Sequence, residues 1–205
     1  MRLYLLLVFA AGTVQAQDPR PFSHRLHLKL QPDCTACHVT AKSSTKIEDN
    51  NLPAASACVS CHKEASIKRP APTLLSRFDH QKHLKLGNIA PLLAKAVDSG
   101  AYLSRPGGMR RHLNTKNSCA ACHRGLEESE AVTKAAFPQM ADCLVCHTEV
   151  DPPFSCEFCH AKGPHLKPAN HTPDWLDLHN SKKVTLDKPS CAVCHGRKFT
   201  CLGCH

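Results

Sequence analysis

Residues 191–205 read CAVCHGRKFTCLGCH. Two Cys-x-x-Cys-His units stand there almost end to end, the second closing on His205. The same pentapeptide occurs five more times, so that seven copies use all 14 cysteines of the 205-residue chain. The pairs are Cys34 and Cys37, Cys58 and Cys61, Cys119 and Cys122, Cys143 and Cys146, Cys156 and Cys159, Cys191 and Cys194, and Cys201 and Cys204. Behind them stand His38, His62, His123, His147, His160, His195 and His205. A zinc ribbon needs paired Cys-x-x-Cys units but no histidine behind each one, and a disulfide framework needs none. A histidine after every pair is the signature of covalent c-type haem attachment. On a turn of helix, residues three and four apart share a face, so two sulfurs and one imidazole reach the same porphyrin. The expectation is seven haem c, with the motif histidines as proximal iron ligands.

The remaining histidines are His24, His27, His80, His83, His112, His165, His171 and His179. Seven six-coordinate irons need seven distal ligands, and eight candidates nearly match that need. A single surface histidine is ordinarily a solvated polar residue; 15 of them in 205 residues favour ligand roles. Met109 and Met140 are alternative axial ligands, with packing the plainer reading of both.

Six of the eight candidates stand in pairs ahead of groups of motifs. Phe22-Ser23-His24-Arg25-Leu26-His27-Leu28-Lys29-Leu30 precedes the sites at Cys34 and Cys58. Phe78-Asp79-His80-Gln81-Lys82-His83-Leu84-Lys85-Leu86 precedes those at Cys119 and Cys143. The first cysteines of the two sites lie 24 residues apart in both copies, and Pro53 and Pro138 share one offset. That is an internal duplication. The third pair, His171 and His179, brackets Trp175 ahead of the last two sites. Trp175 is expected to pack, against a porphyrin or otherwise. The units are therefore a dihaem unit (17–72), a trihaem unit (73–164) and a C-terminal dihaem unit (165–205), wrapped as one continuous domain.

The second copy carries an insertion, residues 87–115, where the first has only 31–33. Pro91 near the start, Gly100 after the end, and Leu92, Leu93, Ala96 and Val97 in helical spacing predict a helix over 91–99. It would cover haem faces or, on a sharper reading, dock a partner. Residues 105–108 read as a turn, and Arg110 and Arg111 as partners for haem propionates.

Residues 1–16 read as a secretory signal: Arg2, an apolar run, then Val14-Gln15-Ala16 as a small-x-small cleavage site. That run is too short to span a bilayer, and no second one follows, so no transmembrane segment is expected in the mature chain. Export matches haem attachment on the outer side of a bacterial inner membrane, which implies the periplasm or beyond the outer membrane. About 189 mature residues would wrap seven haems, roughly 27 residues each. With aromatics at 5% and 15 prolines, the side chains cannot build a large core. The fold expected is mostly irregular with short α-helices, a haem-packed core and little or no β-sheet.

The formal charge of +9 invites a nucleic-acid reading, which charge arithmetic rejects. Without Arg2 the chain carries about +8, fourteen propionates bring about −14, and each ferric centre restores about +1. The oxidised protein is then near neutral and the reduced one about −6.

The motifs together with the Phe-x-His-x-x-His element resemble the class III bis-histidine group of multihaem c-type cytochromes, over nearly all of the mature chain. The resemblance implies that His24, His27, His80 and His83 are distal ligands, each pair serving two different haems, and that Phe22 and Phe78 pack on neighbouring porphyrins. His171 and His179 stand in the matching place before the third group. The seventh distal ligand is His112 or His165. His112 is favoured because it lies seven residues before Cys119, as His27 does before Cys34.

Bis-histidine haems lack the potential-raising methionine, so a set of low-potential, low-spin haems is expected. The leading function is a periplasmic electron carrier, exchanging electrons with a quinol-linked membrane donor or a terminal reductase. One alternative is a multihaem reductase with one open iron, although no Cys-x-x-Cys-Lys variant occurs. The other is a subunit of an extracellular conductive assembly, in which a homo-oligomer would form by repeated head-to-tail contacts. His205 at the end of the sequence would place one haem near the surface for either a docking exit or a subunit junction.

Overall fold

A computed structural model describes residues 21–63, 75–147, 156–163, 166, 168–181 and 188–196. The expected signal at 1–16, His165 and the expected last site, Cys201, Cys204 and His205, lie outside the described residues. The architecture is mostly irregular. Short helices α1 (His24–Leu30), α2 (Ala55–Val59), α3 (His80–Lys85), α4 (Ala90–Asp98), α5 (Ser118–Cys122), α6 (Met140–Cys143), α7 (Trp175–Asn180) and α8 (Lys188–His195) are joined by turns and 3-10 segments. Among the described residues there is no strand, only an isolated bridge between Leu75 and His160. None of the described helices is long and apolar enough to cross a membrane.

The side-chain core is small. Among the described residues the buried apolar ones are Ala90, Leu93, Ala94, Ala96, Tyr102, Leu113, Ala121, Ala136 and Ala141, and Leu93 is the largest of the wholly buried side chains. Alanines bury too little apolar area to offset the ordering of a chain this long. The cofactors must supply the missing core, as the composition implies.

That small core belongs to the insertion. The predicted helix is α4, with Pro91 in its first turn, where a missing N–H costs nothing. It ends at Asp98 with Ser99 as its cap, and Gly100 follows at φ +69°, the left-handed conformation glycine adopts most readily. Ala90, Leu93 and Ala94 pack with Leu113 and with Ala121 of α5, whereas Ala96 packs with Tyr102 and with Ala141 of α6. The inserted helix thus seats the third and fourth attachment motifs on one apolar surface. Arg110 pairs with Asp98 and Arg111 with Glu128, so both guanidinium groups engage carboxylates of the chain itself.

The duplicated units hold each other reciprocally. Arg25 N–H in α1 donates to the carbonyl of Ser129, and Gln81 N–H in α3 donates to that of Ser44. Arg25 and Gln81 each follow the first histidine of their copy, and Ser44 and Ser129 each lie ten residues past the first cysteine. Equivalent residues therefore make equivalent contacts, the pattern of a two-fold interface. On α1 the contact is reinforced by an Arg25–Glu130 ion pair and by the Ser23 hydroxyl on Glu130.

Candidate haem sites

Each described motif through residue 160 is one closed helical turn. The N–H groups of His38, His62, His123, His147 and His160 donate to the carbonyls of Cys34, Cys58, Cys119, Cys143 and Cys156, each at 2.9 Å. This i→i+4 bond puts the histidine over the first cysteine, as the spacing predicts.

Opposite the motif histidines stand histidines from outside the motifs. Ring centroids lie 6.3 Å apart for His24 and His38, 6.1 Å for His27 and His62, 6.3 Å for His83 and His147, and 6.1 Å for His171 and His195. A metal–imidazole bond is about 2 Å and a ring centre lies about 1.1 Å behind its nitrogen, so two rings flanking one metal stand about 6 Å apart. All four pairs fit one iron between them. The planes are nearly parallel in the first and last pairs (11° and 10°) and tilted in the other two (41° and 46°). The tilted pairs occupy equivalent places in the duplicated units.

The Nδ1 atoms show which nitrogen is left for metal. His38 Nδ1–H donates to the Asn51 carbonyl at 2.7 Å and His123 Nδ1–H to that of Ala136 at 3.1 Å. Both acceptors lie thirteen residues after their histidine, so the duplication extends to the ligands' supports. His27 Nδ1–H donates to Ser23 O at 2.8 Å and His83 Nδ1–H to Asp79 O at 2.7 Å. Such a donor bond fixes the tautomer and leaves the Nε2 lone pair for iron. Burial, then the neighbouring His38, His27 and His123, lowers His24 to about 4. Burial is also the main cause that lowers His80 and His123. These rings are neutral near pH 7, the form that binds metal.

The Phe-x-His-x-x-His element has a local explanation. Phe22 stacks on His27 at 4.3 Å and meets His24 edge-on at 4.8 Å. Phe78 repeats this on His83 and His80 at 4.5 and 4.6 Å. The phenylalanines brace the imidazoles of His24, His27, His80 and His83. In the third group Trp175 takes this part, stacked between His171 at 5.2 Å and His179 at 5.9 Å. The residue between Phe and the first His caps the helix: Ser23 Oγ accepts from Leu26 N–H and Asp79 Oδ1 from Lys82 N–H.

His112, favoured from sequence for the seventh distal place, is held elsewhere. Its Nδ1 lies 2.9 Å from Glu127 Oε1, and its Nε2 accepts from Arg111 Nε at 3.0 Å. Spacing alone could not disclose this, because the acidic partners lie fifteen or more residues away. Met109 packs against the insertion's core, and Met140 begins α6.

The cysteine sulfurs, free thiols here and thioethers once haem is attached, run from motif to motif. Cys34 and Cys119, the first cysteines of the two copies, hydrogen-bond each other, which lowers the one thiol and raises the other. Asn117 Nδ2 adds a contact to Cys34 Sγ at 3.5 Å. Cys143 lies within electrostatic reach of Cys122 and Cys159, and Cys194 within reach of Cys156. Ser76 N–H donates to the Cys159 carbonyl at 2.8 Å, tying the fifth motif to the segment ahead of α3.

A family described as outer membrane cytochrome MtrC/MtrF-like, domains II/IV, matches residues 29–205. The chain belongs to this family. It is a multihaem c-type electron-transfer cytochrome. No curated protein and no solved structure matches it. The match covers every attachment motif, together with α3 and the insertion. It begins inside α1, after His24 and His27. His24 and His27 therefore lie outside the match, and what connects them to it is their likeness to His80 and His83.

Proposed function

We propose that this cytochrome conducts electrons at the outer membrane, as part of an extracellular-facing assembly, through seven bis-histidine haems. The opposed imidazole pairs at 6.1–6.3 Å carry the reading. The family's outer-membrane description supports this location over a carrier free in the periplasm. Bound at the motifs, haem supplies a reversible one-electron centre of low potential. The chain's residues supply position. Cysteines fix each attachment, Nδ1–H donors orient the rings, and burial keeps His24, His80 and His123 neutral.

The motifs would follow one another as second, first, third, fourth, fifth, sixth and seventh. α1 offers His24 and His27 to the first and second, and the Cys34–Cys119 contact joins the first to the third. α3 offers His80 and His83 to the third and fourth. The electrostatic reach of Cys159 to Cys143 and of Cys156 to Cys194 continues the series. His179 would serve the seventh motif. With both His112 nitrogens engaged, His165 would serve His160 of the fifth.

Electron paramagnetic resonance of the oxidised holoprotein, with carbon monoxide binding after reduction, tests the ligation. Every haem should be low-spin and none should bind carbon monoxide. His165→Ala should open one haem, and His112→Ala none. The reverse result would restore His112 as the ligand, and one open haem in the unaltered protein would favour a reductase. Protease treatment of intact cells tests location. Digestion of the cytochrome supports outer-surface exposure; its survival until the outer membrane is broken returns it to the periplasm.

A further inference from the structure

Among the described residues the most deeply buried charged side chains belong to no attachment motif and to no histidine pair. Arg124 Nη2 and Asp142 Oδ2 form an ion pair at 2.6 Å, with side chains 5% and 4% exposed. Arg124 directly follows His123 of the third motif, and Asp142 directly precedes Cys143 of the fourth. The pair therefore spans two attachment sites. Asp142 Oδ2 also accepts from Gln139 N–H at 2.6 Å, and Oδ1 accepts from the Tyr102 hydroxyl at 2.9 Å. Arg124 Nη1 donates to the Ala121 carbonyl at 3.0 Å. A bracket of this kind does not require charge. Apolar groups of similar volume often stabilise as well as a buried pair. What an apolar bracket cannot supply is an electric field, and little water is present to screen one here.

We infer that Arg124 and Asp142 set a step in reduction potential between the haems of the third and fourth motifs, making the fourth the harder to reduce. The inference rests on both motifs carrying haem. A buried carboxylate stabilises a ferric centre beside it, and a buried guanidinium opposes one. Asp142 is joined directly to Cys143 of the fourth motif, whereas Arg124 is joined to His123 and its Nη1 donates to the Ala121 carbonyl inside the third motif. The guanidinium thus stands between the third site and the carboxylate, while the fourth site has the carboxylate beside it. An electron shared between the two sites would rest on the third.

The test is a spectroelectrochemical titration of the full holoprotein, with components assigned from paramagnetically shifted haem methyl signals and haem counted by intact mass. Asp142→Asn should raise the fourth haem by at least a tenfold change in its reduced-to-oxidised ratio, 59 mV for one electron. Arg124→Gln should lower the third by a similar factor. Tyr102→Phe keeps both charges and should move neither component threefold. Shifts of the same sign in both charge variants, or a Tyr102→Phe shift equal to that of Asp142→Asn, would show loosened packing and overturn the inference. If Asp142→Asn fails to mature with its full haem complement, Arg124→Gln decides alone, since an unmoved or raised third haem overturns the step. Absence of haem at either motif in the unaltered protein would instead remove the functional reading beneath it.

Discussion

At the scale of single residues, one position does two tasks in each duplicated unit. Asp79 caps α3 with its side chain and holds His83 with its carbonyl. Asp79→Ala removes only the cap and should cost about 1 kcal/mol. The loss should be measurable by denaturant unfolding of the holoprotein, with the low-spin spectrum unchanged, because the carbonyl remains. A lost low-spin signal would mean that the carboxylate, not the carbonyl, orients the ligand. The buried histidines also give a pH dependence. His24 is lowered from 6.5 to about 4 by burial and neighbouring histidines. Below pH 6.5 the unfolded chain takes up a proton that burial keeps off the folded ring, as iron at Nε2 would in the holoprotein. His24 thus contributes stability that is complete above pH 6.5 and falls away below it. Thermal midpoints of the holoprotein should fall as pH drops below 6.5. His24→Gln, which cannot titrate, should flatten the slope; an unchanged slope would place the effect elsewhere.

At the scale of elements, the inserted helix is the one place where the chain packs like an ordinary protein. Leu93 is 1% exposed within an alanine-rich cluster that reaches α5. Leu93→Ala should cost about 2–5 kcal/mol, read as a lower unfolding midpoint. Attachment at Cys119 should persist, because the turn that presents it closes on itself. Haem loss at that site would make α4 a requirement for maturation. This helix was legible in the sequence because Pro91 and Gly100 bracket it and its apolar residues keep helical spacing. The motif turns were legible because their geometry lies within five residues. The Arg124–Asp142–Tyr102 bracket and the Arg25–Ser129 contact were not. The bracket joins residues 18 and 40 positions apart through side chains that occur once, leaving no period to read, and the Arg25–Ser129 contact is a backbone bond across more than 100 positions that no side-chain pattern announces. The partners of His112 were equally illegible. Its spacing to Cys119 matches that of His27 to Cys34, whereas Arg111 beside it and Glu127, beyond the third motif, engage its two ring nitrogens.

At the scale of the whole molecule, the polypeptide and its cofactors offset each other in charge. The sequence carries +9, and with so small an apolar core the propionate-bearing groups must lie among those cations. Seven haems would bring the oxidised protein near neutrality, and each electron taken up adds one negative charge, reaching about −6 on full reduction. Isoelectric focusing can follow this directly. Apoprotein should focus in the basic range, oxidised holoprotein well below it, and anaerobically reduced holoprotein lower still. Holoprotein focusing beside apoprotein would mean fewer than seven haems. Oxidised and reduced forms focusing together would mean that each electron arrives with a proton. Without such compensation, loading changes the protein's own field, so a positively charged acceptor should bind the reduced form more tightly than the oxidised one. That preference should weaken as salt shortens the screening length to about 8 Å at physiological ionic strength. Binding of each redox form to a cationic surface across a salt series would measure it, and equal retention of the two forms at low salt would exclude it.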